Sequence, residues 1–437
     1  MMVQEQAQEG SFQLNLEKLY LLATQEEDAL NKIRSKAWDH FLEIGLPTKK
    51  TEPYKYVRLR QLFPQIYSEA KLSSISKDQI EELVYPECKQ SFIVFINGYY
   101  CEKDSCLVGI SNKVVITDLS RASRTYGAFL NNHWAKAMQG EVDAFAALNA
   151  ATHKKGLFIY VPPGVTIENP IQIIQIIDPG INNPIIVPRI QVFAGKSAEF
   201  QIISSLSIHS EGSYGINQVV DFSLDENSRV KFTHTVLNQN ESIWHFDAVR
   251  ATLKRNSHFQ SINVTDGSYR YRNDYHIILA QEGCEAELDG ITMLSKSKEV
   301  HTHVFMDHQA PNCRSRQLFK SVLKDSSRGS FEGKIFVRQA AQKTDAFQLN
   351  NNLLLSEKAH ADSKPNLEIF ADDVKASHGA TVGRLNQEQI FYLKSRGFSE
   401  MDAQSLLIAG YCKDIIDRVT IPSLLEILKD KLENYIR

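Results

Sequence analysis

Cysteines are few in this sequence, and they are scattered. Among 437 residues there are six, and no two of them stand in a C-x-x-C spacing. Zinc sites and disulfide frameworks need paired or regularly spaced cysteines. We therefore expect buried, unreactive thiols rather than a four-cysteine metal site. The six are Cys88, Cys101, Cys106, Cys284, Cys313 and Cys412.

Long apolar runs are also missing. The most apolar stretch, "PIQIIQII" (170–177), is far shorter than the roughly 20 residues that a transmembrane helix needs. The N-terminal "MMVQEQAQEGSFQ" has no basic segment followed by an apolar one, and it contains acidic residues but no arginine. Secretory signals and organelle transit peptides have other compositions. We expect a cytoplasmic protein with no membrane association.

No charge of one sign dominates either. The formal net charge is −3, and there is no strongly basic block of the kind that nucleic-acid binding needs. The motifs GxxxxGK[ST], GxSxG and GxGxxG are absent. These absences argue against nucleic-acid binding as the main task, against nucleotide hydrolysis and against ordinary acyl transfer.

The sequence pattern predicts that the N-terminal part of the chain is mostly helical with a few strands. An apolar face predicts one helix that ends at Gly45. Strands are predicted at 91–100 and 113–119, and a second helix, rich in Ala and Leu, across 126–152. The apolar face of the first helix consists of Leu30, Ile33, Ala37 and Phe41.

From residue 157 to residue 384 the sequence pattern changes to short runs in which apolar and polar residues alternate. A turn of small and polar residues repeatedly precedes such a run. The first four of these turns are 31, 29 and 27 residues apart, and the fifth follows after 43. Spacings of this size indicate stacked repeats, so we predict a right-handed parallel β-helix, with a large sandwich as the alternative. The marker residues are Ser197, Ser228, Ser257, Cys284 and Ser327.

The last residues return to a helical pattern. Ser399 and Asp402 predict a capping box, and Pro422 opens a final helix. A leucine-rich stripe on this helix could pack on its own domain or dock a partner, and the pattern alone leaves both open. The stripe consists of Leu425, Leu428, Leu432 and Ile436. The expected organisation is a helical region at 1–156, a β-helix core at 157–384 and a helical region at 385–437.

Titratable residues cluster in "HTHVFMDH". His301 and His303 fall on one side of a strand, which is ligand-like, whereas His308 would reach them only if the strand turned. We interpret them as a surface or stacked pair rather than a metal site. The neighbouring Asp372 and Asp373 would face opposite sides of a strand, so without a kink they could not act on one substrate atom as an acid–base pair.

One further histidine, His378, stands among small residues in "KASHGATVGRL". Period two places it as the one polar member of an otherwise apolar face. From this stretch alone, the expected role is that of a core histidine with a satisfied hydrogen bond. The face consists of Val374, Ala376, His378, Ala380 and Val382.

Four segments together resemble SufD, a subunit of the SUF iron–sulfur cluster assembly machinery in the SufB/SufD family. They are "GLPTKKTEPYKYV" (45–57), "DAFAALNAATHKKGLFIYVPPGVTIENPI" (143–171), "SRQLFKSVLKDSSRGSFEGKIFVRQAAQKTDAFQLNNNLLLSEKAHADSKPNLEIFADDVKASHGATVG" (315–383) and "IFYLKSRGFSEMDAQSLLIAGY" (390–411). The third is long and ordered, which makes the resemblance specific. Residues from about 180 to 300 contribute little to it.

The resemblance implies a parallel β-helix between helical ends and a non-catalytic scaffold role. It implies pairing with a SufB-like subunit and binding of a SufC-like ABC ATPase by the C-terminal helices. It also implies a part in iron acquisition and in forming the nascent iron–sulfur cluster at the interface, with no cluster held by this chain alone.

In the family, the histidine of the "SHGATVG" motif takes part in forming the cluster, and that residue maps onto His378. We therefore expect His378 to be a metal ligand at the interface, and we expect no catalytic residue. Ala376 stands where many SufD sequences have cysteine, and Ala359 aligns best with a cysteine of SufB. Clusters need soft sulfur ligands, so the partner would supply the thiolates and this chain one nitrogen.

Two other classes of protein stay open at this stage. A β-helix enzyme acting on carbohydrate or transferring acyl groups would need a charged groove or a strict hexapeptide repeat, and neither shows in the sequence. A structural homodimer could pair through the same strands, because a self-complementary patch forms a two-fold dimer.

Overall fold

A computed structural model describes residues 2–238 and 243–435 of the chain. Among the helices in these ranges, none is both long and apolar enough to cross a membrane. The helices are α1 (Met2–Thr24), α2 (Asn31–Ile44), α3 (Lys77–Glu81), α4 (Leu119–Gly140), α5 (Ala144–Thr152), α6 (Gln387–Ser395), α7 (Glu400–Ile416) and α8 (Pro422–Asn434).

The strands occupy most of the middle of the chain. In order they are β1 (Ser68–Glu69), β2 (Phe92–Ile96), β3 (Tyr99–Cys106), β4 (Val115–Asp118), β5 (Leu157–Val161), β6 (Ile171–Ile177), β7 (Pro184–Ile186), β8 (Arg189–Ala194), β9 (Glu199–Ile208), β10 (Gly215–Leu224), β11 (Arg229–Val236), β12 (Trp244–Leu253), β13 (His258–Thr265), β14 (Arg270–Leu279), β15 (Glu285–Leu294), β16 (Glu299–His308), β17 (Arg314–Leu323), β18 (Arg328–Val337), β19 (Thr344–Leu354), β20 (His360–Ile369) and β21 (Val374–Gly383).

From β8 onward, consecutive strands alternate between two sheets. One sheet runs β20-β18-β16-β14-β12-β10-β8-β5-β4, with β7 and β1 at its side, and the other runs β21-β19-β17-β15-β13-β11-β9-β6-β2-β3. Pairing is parallel throughout, except between β2 and β3 and between β4 and β5. Because each strand pairs with the strand two places further along, the chain winds as a solenoid. The predicted parallel β-helix is confirmed, and the sandwich alternative is wrong.

The repeat that is visible in the sequence arises at one corner of this solenoid. A residue with a left-handed backbone (φ 56–73°) precedes a buried small residue. In four of the five turns the hydroxyl or thiol then donates to the carbonyl three residues back, at 2.6–3.0 Å. This bond closes the turn and places the next strand on the rung below. The pairs are Asn227 with Ser228, Asn256 with Ser257, Gly283 with Cys284, Asn312 with Cys313, and Lys343 with Thr344.

Two of the predicted marker residues lie elsewhere. Ser197 itself has the left-handed backbone (φ 57°), so Ala198 occupies the buried position. Ser327 closes a turn at the other corner, before β18 of the eleven-stranded sheet. The residue that continues the first corner is Cys313, 29 residues after Cys284. The irregular spacing of 43 therefore came from mixing two corners.

Apolar side chains from both sheets fill the interior, and one glycine adjusts the packing. A Cβ added to Gly290 on β15 would lie 2.4 Å and 2.7 Å from ring atoms of Phe319 on β17. The Phe319 ring packs in turn on Phe331 of the opposite sheet, with centroids 5.0 Å apart. Gly290 therefore leaves the space in which the phenylalanine pair bridges the two sheets.

The helices before the solenoid pack on the outer face of the eleven-stranded sheet. The contact includes buried ion pairs from Arg272 to Asp143 (2.9 Å) and from Arg250 to Glu141 (2.8 Å). The Tyr54 hydroxyl donates to Asp143 at 2.6 Å. The predicted helix across 126–152 is two helices, α4 and α5, because residues 141–143 leave the helix to make these contacts and Asp143 caps α5.

The last two helices pack on the outer face of the ten-stranded sheet. Leu428 and Leu432 of the predicted stripe are buried there, Leu425 is partly buried, and Ile436 lies outside the described residues. The three described leucines of the stripe thus pack on their own chain. Ser399 caps α7 as predicted, since its Oγ accepts from the backbone of Asp402 at 3.1 Å.

Ion pairs surround this apolar contact. Arg418, just after α7, contacts both carboxylate oxygens of Asp289 on β15, at 2.8 Å and 3.0 Å. Lys320 contacts Asp414 at 2.7 Å. Asp289 is almost completely buried, whereas Arg418 is more than one third exposed. Burial therefore outweighs the attraction of the guanidinium and raises the pKa of Asp289 to about 6.

Substituting Gly290 tests the packing of the interior. We expect Gly290→Ala to destabilise the fold by about 1–3 kcal/mol, because the methyl group overlaps the Phe319 ring. Urea unfolding measures the change. Gly410→Ala is the matched control, since a Cβ there meets nothing within 4 Å. It should stabilise α7 by up to about 1 kcal/mol. Equal effects of the two substitutions would contradict this account of the interior.

The stability should depend on pH through Asp289. The folded state holds this proton more tightly than the unfolded chain, whose pKa is about 3.9. The resulting stabilisation is present below about pH 4 and is lost as the pH rises through about 6. Asp289→Asn should therefore gain stability relative to the native chain over this window, by at most roughly 3 kcal/mol.

Urea unfolding at several pH values between about 4 and 7 measures this difference. The exposed Asp417 provides the control, because Asp417→Asn changes a carboxylate beside the same helix without removing a buried one. A constant difference between native chain and Asp289→Asn across the pH range would refute the raised pKa.

Candidate interface site at the last rung of the solenoid

The solenoid ends in two open edges. Strands β20 and β21 are the terminal strands of their sheets, and each pairs on one side, with β18 and β19 respectively. Both are ten residues long. Within the described parts of the chain, no helix or strand pairs with their outer edges. Such an edge presents a row of unpaired backbone N–H and C=O groups.

His378 lies in the middle of β21, in register with the buried Gln348 of β19. Val374 and Ala376, on the same face, still pack against the apolar interior. His378 is nevertheless exposed, because no further rung covers this face. The expectation of a core histidine is therefore wrong. Among the described residues, none forms a hydrogen bond with its ring, which is free to bind from outside.

The surroundings of His378 are small and open. Ala380 and Val382 follow it on the same face, and both are exposed. Beneath the ring, the side chain of Gln348 extends across the interior to the Gly333 carbonyl of β18, at 3.3 Å. A neutral imidazole offers one nitrogen lone pair and suits iron and other borderline metals. This rung can therefore contribute one nitrogen ligand to a metal that other groups also hold.

Thiols are absent from the positions beside this histidine. Ala376 precedes it on the same face, and Ala359 is buried just before β20. All six cysteines of the chain are free, and all except Cys106 are buried. Cys284 and Cys313 belong to the corner turns described above.

The other predicted histidines have different positions. His301 is buried on the outer face of β16, where Nδ1 lies 2.7 Å from Ser330 Oγ. His303, on the same side, contacts Asp274 at 2.7 Å. His308 lies inside the solenoid, 2.9 Å from Ser315 Oγ. Among the described residues, no group of three or more His, Cys, Asp or Glu side chains is arranged to hold a metal ion.

The neighbouring aspartates are not on a strand. Asp372 and Asp373 form the bend between β20 and β21, where the backbone of Asp373 contacts Lys343 and Gln342. The prediction that they face opposite sides of a strand is wrong, because the chain turns a corner here.

Two features were missed by sequence reasoning. The first is an exposed apolar surface on α6, on α7 and on the loop between them, which we call the C-terminal patch. Of the α6 side chains only Ile390 is buried. The signal in the sequence is the aromatic residues of "IFYLKSRGF". The patch consists of Phe391, Tyr392, Phe398, Met401 and Leu406, each at least 44% exposed.

The second missed feature is a buried polar cluster between the two sheets. Asp247 contacts His234 at 2.6 Å and accepts from the Tyr271 hydroxyl at 3.0 Å and from Gln218 at 2.9 Å. Burial alone would raise the pKa of Asp247, but the attraction of His234 holds this pKa below its ordinary value. Polar residues at inward strand positions were the available signal. The cluster joins the sheets far from the open edges.

Comparison with known proteins gives two adjoining family matches. Residues 6–173 match the SufBD protein N-terminal region, and residues 178–411 match the SufBD core domain of the SUF system for FeS cluster assembly. The second match covers more than half of the chain, and it includes both β21 and the C-terminal patch.

Individual relatives agree with these matches, and they confirm the resemblance to SufD. An iron–sulfur cluster assembly SufBD family protein of Synechocystis sp. is 30% identical over 93% of this chain and 91% of its own length. The iron–sulfur cluster assembly protein SufD of Escherichia coli is 44% identical over 31% of this chain and 32% of its own length. A chloroplastic protein of Arabidopsis thaliana is 27% identical over 93% and 86%. The chain therefore belongs to the SufBD family of iron–sulfur cluster assembly proteins.

Proposed function

We propose that this chain is a non-catalytic scaffold subunit of the SUF assembly complex. In this role it pairs with a SufB-like subunit through β20 and β21, and it binds a SufC-like ATPase through the C-terminal patch. The observation that carries the proposal is the uncovered last rung with the exposed His378 in its middle. The cytoplasmic location expected from the sequence stays a prediction.

The open edges support the pairing. Ten residues of strand span about 33 Å, long enough for a substantial row of backbone hydrogen bonds. Unprotected edges of this length ordinarily lead to aggregation unless a partner covers them. Addition of strands from a related solenoid would continue both sheets across the interface. Small side chains such as Ala380 allow the partner backbone to approach closely.

His378 would then lie at the junction between the two subunits. Iron and the nascent cluster are cargo of the complex, bound by His378 together with groups from the partner. Cluster iron takes mainly thiolate ligands, and alanine occupies positions 376 and 359 of this chain. The partner would therefore supply sulfur ligands, and this chain would supply the imidazole nitrogen.

The C-terminal patch supports the ATPase contact. Its side chains are large and apolar and lie on α6, on α7 and on the loop between them, whereas the opposite faces of α7 and α8 pack on the solenoid. An exposed aromatic surface of this kind is typical of a protein-binding site. The patch lies on elements other than β20 and β21, so one chain could hold both partners together.

A second copy of this chain is the alternative partner for the edges. The same unpaired strands would suit a two-fold homodimer, which the isolated protein could form when no SufB-like subunit is present. Such a dimer would use the surface that we assign to the heteromeric complex, so the two assemblies would exclude each other.

Affinity purification of the tagged chain from its native lysate tests the partners. We expect a SufB-like subunit and a SufC-like ATPase to co-purify. Val382→Asp should reduce recovery of the SufB-like subunit at least about tenfold, the effect of roughly 1.4 kcal/mol. Phe391→Asp should reduce recovery of the ATPase in the same way.

Val108 provides the control for these variants, because it is exposed on a distant loop. Val108→Asp should leave both partners bound. Recovery of neither partner with the native chain, or equal losses with all three variants, would show that the proposal is wrong.

Removing the imidazole tests the role of His378. We expect His378→Ala to change stability by less than about 0.5 kcal/mol, because the side chain is exposed. In the reconstituted complex it should lower the rate of cluster formation at least about tenfold, as expected for losing a metal-binding group. Visible absorption and the content of iron and sulfide measure the clusters.

His209→Ala is the matched control, since His209 is also exposed but lies on a loop far along the solenoid. It should form clusters at the native rate. Normal cluster formation by His378→Ala would rule out this residue as a ligand.

A further inference from the structure

Gln348 lies directly beneath His378. The two residues are in register on the adjacent strands β19 and β21, whose backbones are about 4.8 Å apart. Gln348 is completely buried, whereas His378 is exposed. Both side chains start from the face that carries Ala346 and Ala376 into the interior. The two side chains therefore start one above the other on adjacent rungs of the same face.

The orientation of this amide is set from the opposite sheet. The Nε2 atom of Gln348 donates to the Gly333 carbonyl at 3.3 Å, and only the NH₂ end of the amide can serve that acceptor. The Oε1 atom is then left buried, with no hydrogen-bond partner among the described residues. A buried carbonyl oxygen without a partner costs free energy, so it is a ready acceptor for a nearby donor.

Gly333 makes this arrangement sterically feasible. A Cβ added there would lie 2.5–2.7 Å from the amide atoms of Gln348. Any other residue at position 333 would push the amide away from the carbonyl that orients it. Gly333 thus holds the Gln348 amide in place, and the free oxygen of that amide belongs to the rung directly below the strand of His378.

We propose that Gln348 is a positioning residue for His378. When the exposed ring turns over the rung, Oε1 accepts a hydrogen bond from Nδ1–H of the imidazole, and this bond holds the neutral ring in the Nδ1–H tautomer. The Nε2 lone pair is then directed away from the rung, toward a partner on the open edge. Metal-binding histidines commonly donate their second ring nitrogen to a carbonyl in this manner. The ligand role of Nε2 rests on the proposed function, whereas the hydrogen bond does not.

Gln317 is the competing partner for the same oxygen. It lies in register with Gln348 one rung further down, on β17, and both of its amide atoms are buried without a partner. If the Gln317 amide donated a hydrogen bond to Oε1 of Gln348, that oxygen would be occupied and the His378 ring would contact only solvent. The two arrangements predict different effects for substitutions at positions 317 and 348.

Nitrogen NMR of the full-length chain, labelled with ¹⁵N-histidine, distinguishes them. Spectra are recorded at a pH where the imidazoles are neutral, and His378→Ala identifies the resonances. We expect the native ring of His378 to be mainly the Nδ1–H tautomer. Gln348→Leu should shift the ring toward Nε2–H, the form that free histidine prefers, and Gly333→Ala should do the same. Gln317→Leu is the matched control and should leave the tautomer unchanged.

An unchanged tautomer in Gln348→Leu would overturn the inference, and so would a shift caused by Gln317→Leu alone. Thermal unfolding shows whether each variant is folded. If Gln348→Leu does not fold, Gly333→Ala decides by the same spectrum. Should His378→Ala stop cluster formation while Gln348→Leu leaves the tautomer unchanged, the hydrogen bond is wrong and the proposed function stands. The opposite result would retain the hydrogen bond and remove the ligand role.

Discussion

The in-register parallel pairing of successive turns is the constraint on which this structure depends. Each strand of the long sheets is matched residue by residue with the strand two places on, as β17 is with β19 and β19 with β21. Tight turns at the corner, closed by a buried serine, threonine or cysteine, keep successive rungs of the solenoid nearly equal in length. Rungs of equal length stack side chains of the same position above one another, so a column of residues runs along the interior.

The stack of paired strands ends at β20 and β21, and these terminal strands differ chemically from the strands inside the solenoid. Inside the solenoid, both edges of every strand are paired. Helices cover parts of the outer faces, with the N-terminal helices on the eleven-stranded sheet and α7 and α8 on the ten-stranded sheet. Sheets made of parallel strands are usually buried on both faces. In the described parts of the chain no further strand pairs with β20 or β21, so unpaired backbone groups lie beside His378.

The position of His378 on the last rung is the physical basis of the role that we propose for it. One rung further down, the same register position is occupied by the fully buried Gln348. A side chain in that layer can serve only the interior. On the last rung, the same direction leads out of the molecule, to the edge where we propose that a second subunit binds. A single nitrogen ligand is incomplete by itself, which fits a chain that belongs to an assembly system and lacks thiols beside this site.

Local pattern in the sequence was sufficient for the strands, the repeat length and the helical ends, because alternation and turn chemistry act over a few residues. The resemblance to SufD pointed to His378 before any geometry was available. Features that depend on contacts between residues far apart in the sequence were decided by the tertiary structure. The structure shows that the marker residues belong to two different corners of the solenoid. It also shows that the helix predicted across 126–152 is interrupted where Asp143 contacts Arg272. It also packed Leu428 and Leu432 of α8 against the chain. Above all, it decided that His378 is exposed, because exposure on an inward face depends on how many rungs follow, and no local pattern records that number.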